Sequence, residues 1–271
     1  MHRLTEISRN DIIPWSADYN NYKHRYISEV INNQEFLNLF VCNSQLPECY
    51  GARLDERIIE YPWVMSRIRN SGLILDAGST FNNELILKHK IISSRKILIY
   101  TLEADWITLN PNVSYIFSDF RYSLLKDKLF DIIVCISTLE HVGFGGDFRK
   151  WSKYNLYPNE DVNAYKEVLM EFSRMLTREG QFLLTVPFGR YENHGWLRQF
   201  DKKLISTIHS AFEGQLKDEC YYRYNGECWE LSDSEACCNE KYFNFHAEEN
   251  FDDDYAAAAR AVACLEYIKS E

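Results

Sequence analysis

Apolar residues change their rhythm along this chain near Gly72. Up to about residue 70, segments such as YKHRYISEVINNQEFLNLF and RLDERIIEYPWVMSRI repeat apolar positions at three- and four-residue spacing among charges, which predicts amphipathic helices. Residues 1–70 are therefore expected to form a helical N-terminal cap. Beyond them, short apolar runs alternate with polar or helical segments, the signature of a parallel sheet with helices on both faces. Five runs follow in order: LILDAG (73–78), KILIYTLE (96–103), VSYIFSD (113–119), FDIIVCIS (130–137) and QFLLTVPFG (181–189). β-Branched and aromatic residues, which pack well on a pleated surface, are plentiful in them. NNELILKHKII is the expected crossover helix between the first two runs, and a longer helix is expected over 159–180, closed by Gly180.

Later in the chain, DKKLISTIHSAFEG (201–214) predicts a further helix, and KDECYYRYN (217–225) and AVACLEYIK (261–269) predict two more strands with irregular chain between them. The sum is an α/β fold: a doubly wound, mostly parallel sheet of seven strands, with residues 71–271 forming one integrated unit behind the helical cap. Neither internal repeats nor low-complexity tracts interrupt it.

Hydrophobic residues make up 46% of the 271, enough to close one sizeable core. The formal charge of -10 argues against a surface that tracks phosphates, so no nucleic-acid partner is expected and a small-molecule substrate is. The N-terminus MHRLTEISRNDIIPW lacks the apolar core of a signal peptide, and no run has the apolar length of a membrane span. A cytoplasmic protein without a membrane partner is the expectation. Eight scattered cysteines then read as reduced thiols rather than a disulfide framework.

In an open α/β sheet the ligand lies outside the carboxyl ends of the strands, so the residues just after each run carry the most chemical weight. After the first come Asp76, Ala77, Gly78, Ser79 and Thr80. There a glycine permits a tight turn with close backbone approach, and hydroxyls can cap the next helix. Glu103 follows the second run, where a carboxylate suits the two hydroxyls of a ribose. Asp119 and the backbone of Phe120 follow the third and could read an adenine edge, while Ser137, Glu140 and His141 follow the fourth. Each acid has an alternative role as a cap or a solvated turn residue, and their order and spacing together carry the functional reading.

On these residues, ILDAGS, Glu103, SDFRYSLL, FDIIVCISTLEHVG and LTREGQFLLTVPFG, the chain resembles the class I, Rossmann-like S-adenosylmethionine methyltransferases, in particular the bacterial small-molecule and sugar type. The resemblance spans roughly residues 60–215. It implies S-adenosyl-L-methionine as cofactor, with its methionine end near Asp76 to Thr80, its ribose on Glu103, and its adenine near Asp119 and Phe120, with Ser137 also lining the site. One departure stands out: the first motif of that family carries two or three glycines, and here Gly78 is followed by Ser79, Thr80 and Phe81.

Methyl transfer depends mostly on holding a nucleophile in line with the methyl group, and a base helps only if the acceptor must lose a proton. His141 and His194 are the candidate bases, with packing as the alternative for His141. The segment PFGRYENHGWLRQFD offers Arg190, Tyr191, Glu192, Trp196 and Arg198 for a polar, ring-shaped acceptor such as a sugar or nucleotide sugar, or else is a surface loop anchored by Trp196. The spacing of Cys220, Cys228, Cys237 and Cys238 with His246 lacks the short pairs of a zinc site, and the acidic segment HAEENFDDDY reads as solvated surface, with a divalent ion of a metal-assisted enzyme as its alternative, so no metal site is assigned. Two alternatives stay open: a binding or regulatory protein that keeps the fold without turnover, and an NAD-dependent oxidoreductase, which would want a fuller glycine fingerprint. A homodimer also stays open.

Overall fold

Consecutive strand residues in the middle of this molecule face two different cores, and that alternation explains why the sequence shows continuous apolar runs there. Ile74, Ile132, Val134 and Ile136 belong to one buried cluster, whereas Leu75, Ile133 and Cys135 belong to the other. The computed structural model describes residues 13–103, 106–144, 161–248, 250–252, 254 and 258–270.

Three helices supply the first cluster: α1 (Ala17–Ile31), α2 (Gln34–Val41) and α3 (Arg57–Arg67). Ser16 and Asn33 cap α1 and α2 by accepting backbone N–H bonds from Tyr19 and Glu35. Pro62 sits inside α3, where it withdraws the N–H that would meet the carbonyl of Ile58. The buried Tyr50 hydroxyl donates to that carbonyl at 2.8 Å, so the helix continues through the proline. Tyr19, Ile27 and Trp63 from these helices share one cluster with Ile74, Ile132 and Val262 of the sheet.

Strands β1 (Ile74–Ala77), β2 (Ile97–Thr101), β3 (Val113–Phe117), β4 (Phe130–Ile136) and β5 (Leu176–Pro187) are mutually parallel. A ribbon of β6 (Glu192–Asn193) and β7 (Arg198–Gln199) follows, then β8 (Gly214–Tyr224), β9 (Trp229–Ser232) and β10 (Ala261–Lys269). The main sheet has the order β3-β2-β1-β4-β5-β10-β8-β9, with β10 antiparallel to both β5 and β8. Between β1 and β2 lies the one-turn helix α4 (Glu84–Leu87); α5 (Ala164–Met175) and α6 (Lys202–Ala211) cover the second face through Val168, Leu169, Phe172, Ile205 and Ile208. The four-residue α7 (Ser234–Cys237) is capped by Asp233.

Four expectations are corrected. The sheet has eight strands rather than seven, because the stretch expected to be irregular contains β9 and α7, both too short to show a period. The crossover after β1 forms a single turn rather than a helix over 82–92. The helix expected to run to Gly180 stops at Met175, because Leu176 turns extended and pairs with Phe130, leaving Gly180 inside β5. The next helix ends at Ala211 instead of 214. Residues 1–12 of the expected cap lie outside the described residues.

Candidate active site

The order β3-β2-β1-β4-β5 means that successive strands are laid down in opposite directions on either side of β1, so a crevice opens where β1 meets β4, at their carboxyl ends. Both turns leaving those strands are built around polar anchors. Asp76, the fully buried third residue of β1, accepts from the Thr80 N–H at 3.2 Å, the Thr80 hydroxyl at 3.1 Å and the Phe81 N–H at 2.9 Å. Burial pushes its carboxyl up to about 7, against the pull of those hydrogen bonds. Ala77 beside it is buried. Gly78 has φ +111° and donates its N–H to the Tyr100 carbonyl at 2.9 Å. A Cβ at this position would collide with the side chain of Thr138 in the turn after β4, so the two turns touch here and only glycine fits. Ser79 also takes a left-handed conformation at φ +70°, in place of a second glycine. Tyr61 of α3 donates to the Thr80 carbonyl at 2.7 Å, tying the helical cap to this turn.

Glu103 lies exposed, two residues past β2, with its own carbonyl held by the Thr101 hydroxyl at 2.7 Å. Asp119 follows β3, but its carboxylate pairs with the Arg121 guanidinium at 2.7 Å and accepts the Arg121 N–H at 2.9 Å. A ligand amine would share that carboxylate with Arg121. The Phe120 ring is buried and stacked on Tyr100 with centroids 4.7 Å apart, which fixes the backbone beside it.

Past β4, Ser137 has φ +38°, and its hydroxyl donates to Glu60 Oε1 at 2.6 Å. The Thr185 hydroxyl of β5 donates to the same oxygen at 2.6 Å, and Arg57 pairs with Oε2. Glu60, fully buried on α3, is thus the hub joining the helical cap to the ends of β4 and β5. The sequence reading missed it, although a carboxylate amid the buried face of Ile59, Trp63 and Val64 is a visible anomaly. Glu56 one turn earlier and Glu140 after β4 are buried as well. Burial, followed by the charges of Asp55 and Glu60, pushes the Glu56 carboxyl up, and burial likewise holds Glu140 well above the ordinary range.

His141 places Nδ1 3.1 Å from the Trp196 carbonyl, lies tilted against the Trp196 ring with centroids 5.3 Å apart, and has Nε2 3.9 Å from Glu140. Burial lowers its pKa to about 4, so the ring is neutral at physiological pH and Nδ1 is the donor to Trp196. His194 Nδ1 lies 3.2 Å from the Asn244 amide; Nε2 lies 3.3 Å from Glu192 and, among the described residues, is buried without a hydrogen-bond partner. Glu192 also accepts from Arg190 at 2.7 Å and from the Tyr242 N–H at 3.0 Å. Arg190 and Tyr191 are exposed, and Trp196 packs edge-on against Tyr242, Phe245 and His246.

Arg198, expected to meet the acceptor, is instead 2% exposed and donates to the carbonyls of Val142 and Val162. Its guanidinium lies 4.4 Å from the Phe144 ring centroid and 4.8 Å from that of Tyr165. It is an internal clamp because β7 turns it inward, an orientation that loop composition does not encode. A cavity of about 740 Å³ lies nearby, with Glu240, Tyr242, Phe243, Glu248 and Asp252 in its wall. Among the described residues no group of three or more His, Cys, Asp or Glu side chains could hold a metal ion, and the eight cysteines are free thiols. Among the same residues no helix is long and apolar enough to cross a membrane.

No family model and no curated protein matches the chain. Solved structures similar to it include an S-adenosylmethionine-dependent methyltransferase from Methanosarcina mazei, 11% identical over 78% of this chain and 98% of that one, with a TM-score of 0.48. Another is the 1,6-didemethyltoxoflavin-N1-methyltransferase of Burkholderia thailandensis, with 12% identity, 98% and 99% coverage and a TM-score of 0.45. The N-methyltransferase NodS from Bradyrhizobium japonicum has 10% identity, 94% and 99% coverage and a TM-score of 0.44. At these scores the likeness is one of chain course and says nothing about chemistry.

Proposed function

We propose that this chain is an S-adenosylmethionine-dependent methyltransferase that acts on a small polar metabolite, with a sugar or nucleotide sugar as the leading candidate. The observation that carries the proposal is the contact between the glycine-permitted turn after β1 and the turn after β4, at the switch point of the sheet, with the exposed Glu103 on the neighbouring strand end. Gly78, Ser79 and Thr80 would hold the amino-acid end of the cofactor, Glu103 its ribose, and Asp119 with the Phe120 backbone its adenine. Bound there, the cofactor would supply an electrophilic methyl group on sulfur.

The chain's own task is then to place an acceptor oxygen or nitrogen in line and to keep water out. Neutral His141, with Nδ1–H committed to Trp196, leaves Nε2 as its acceptor nitrogen beside Glu140. A conjugate acid with a pKa of about 4 makes it a weak base, so it orients an acceptor proton more than it removes one. His194, held at Nδ1 by the Asn244 amide and with Nε2 beside Glu192, positions the loop that carries Arg190, Tyr191, Glu192 and Trp196 beside the pocket.

Calorimetry with S-adenosylmethionine and S-adenosylhomocysteine tests the proposal. Both should bind, and Glu103→Ala should weaken both about 10- to 100-fold, the equivalent of about 1.4–2.8 kcal/mol for lost hydrogen bonds to a charged acceptor. Equal affinity in the variant, or no binding by the parent, overturns it, and binding of NAD instead would point to an oxidoreductase. Loss of turnover by about 10² in His141→Ala would mark proton transfer through that ring, and full turnover would leave positioning alone.

A further inference from the structure

An open sheet ends in two edge strands, and each presents a row of unpaired N–H and C=O groups unless something blunts it. One edge of this sheet is guarded. β9 carries Glu230, paired with Arg223 at 2.8 Å, and the Trp229 N–H at its start is taken by the Tyr50 carbonyl at 2.8 Å. The other edge, β3, reads VSYIF, with no charge and no proline, and with a β-branched or aromatic side chain everywhere but Ser114.

Crossover helices cover the faces of strands in doubly wound sheets. Among the described residues, neither connection at β3 holds an α-helix: residues 106–110 are irregular, and only a 3₁₀ turn at Phe120–Tyr122 follows the strand. The edge is therefore bordered by exposed apolar side chains. Leu109 and Leu124 are 98% and 100% exposed, and Trp106, Ile107, Phe117 and Tyr122 keep two-fifths or more of their surface in water. Hydrogen bonds hold part of this border alongside the strand. The Tyr115 hydroxyl accepts the Thr108 N–H at 3.0 Å and donates to Asn82 at 2.8 Å, while the Asn82 amide donates to the Trp106 carbonyl at 2.6 Å. A standard interface buries about 800 Å² on each partner, and one aromatic side chain can bury about 150–250 Å². The six residues thus supply several hundred Å² before the strand itself is counted.

The backbone of β3 fixes what can attach. Ile97 donates its N–H to the Asn112 carbonyl at 2.9 Å and Ser118 to the Thr101 carbonyl at 3.0 Å, so the even-numbered residues of this stretch face β2. The odd-numbered ones turn outward. Val113 gives its N–H to the Asn110 carbonyl at 3.0 Å, which leaves the N–H groups of Tyr115 and Phe117 and the carbonyls of Val113, Tyr115 and Phe117 for a neighbour. A second copy of β3 matches that row. Laid antiparallel about a twofold axis at Tyr115, it lets Tyr115 exchange both bonds with its twin and Phe117 donate to Val113 of the second copy, in both directions. The side chains agree: Phe117 falls opposite Val113, and Ile116 opposite Ser114, so no like charges meet.

We infer that this protein is a homodimer joined through β3, in which one sheet runs continuously through both copies and the apolar border of each is buried against the other. Because the joined strands are antiparallel, the carboxyl edges of the two halves point in opposite directions, and each copy keeps its own crevice. The dimer does not depend on the function proposed above.

Sedimentation velocity across the micromolar range tests this, with amide hydrogen exchange as the second readout. The parent should sediment as a dimer, and its Tyr115 amide should exchange slowly at high protein concentration and rapidly on dilution. Phe117→Pro removes an N–H that β2 does not use, at an edge position where proline is tolerated, and should weaken association at least a hundredfold. Phe117→Leu keeps that N–H and should weaken it less than tenfold. A parent that stays monomeric overturns the inference, as does a dimer whose Tyr115 amide remains unprotected or one that Phe117→Pro leaves intact. An equal loss in Phe117→Leu and Phe117→Pro would assign the contact to the ring and also overturn the strand pairing. If Phe117→Pro does not fold, Phe117→Lys decides by the same criterion, since a lysine on an edge strand opposes pairing and leaves the β2 ladder in place.

Discussion

Replacing Asp76 with asparagine probes the central turn of the site through a pH dependence that the structure fixes in sign. Two effects compete at this buried carboxyl. Three donors from Thr80 and Phe81 favour the anion, while complete burial disfavours it, and burial prevails by raising the pKa from 3.8 to about 7. Between those values the folded state keeps a proton that the unfolded chain has lost, so stability falls as pH rises and levels off above 7. The full difference is about 4 kcal/mol at 1.36 kcal/mol per pH unit. Asparagine does not titrate, so it removes this slope. Its amide nitrogen cannot accept the Phe81 N–H, however, and two donors then face each other, at a penalty of about 1–3 kcal/mol at every pH. By pH 5 the parent has already lost about 1.6 kcal/mol of stability, so Asp76→Asn should lie within about 1.5 kcal/mol of it there, and the variant should become the more stable of the two by pH 8.5. Urea unfolding at pH 5, 6, 7 and 8.5 measures it directly. A parent advantage that widens with pH would refute the reasoning, because it would mean that the three donors, not burial, set the charge state of Asp76.

Two further substitutions separate the turn from the loop. Gly78→Ala combines a left-handed backbone with overlap against Thr138, so it should lose about 2–5 kcal/mol of stability and most of its affinity for S-adenosylhomocysteine; a calorimetric titration indistinguishable from the parent would show that the two turns do not need their close contact. Arg198→Ala strips the donors from the Val142 and Val162 carbonyls and the packing against Phe144 and Tyr165, at about 3–5 kcal/mol, whereas Arg190→Ala should fall within about 0.5 kcal/mol. Equal shifts in chemical denaturation for the two arginines would return Arg198 to the surface of the loop.

What the sequence determined by itself is whatever depends on local periodicity and on single residues with special backbone needs. Two-faced burial makes the parallel strands read as continuous apolar runs, so β1 to β5 could be located without coordinates, as could β10 at Ala261–Lys269. Gly78 was legible because a tight turn leaves no room for a side chain, and the polar residues after each strand were legible because every parallel strand delivers its chain to the same edge. β9 was not, since its four residues carry no continuous apolar run like that of β1, and the helical spacing over 82–92 overstated the single turn of α4. Tertiary structure alone decided the partners. Arg198 and Arg190 look alike in one loop, yet β7 turns the first into the core while the second stays in water. Ser137 and Asp119 sit where expected, but Glu60 and Arg121 engage them. The acids that shape the interior of the site, Glu56 at the start of α3, Glu60 on it and Glu140 after β4, lie some eighty residues apart in the chain and come together only because α3 packs against the ends of β4 and β5. Pairing across such distances depends on strand order and side-chain direction, and no local pattern of hydrophobic and polar residues encodes either.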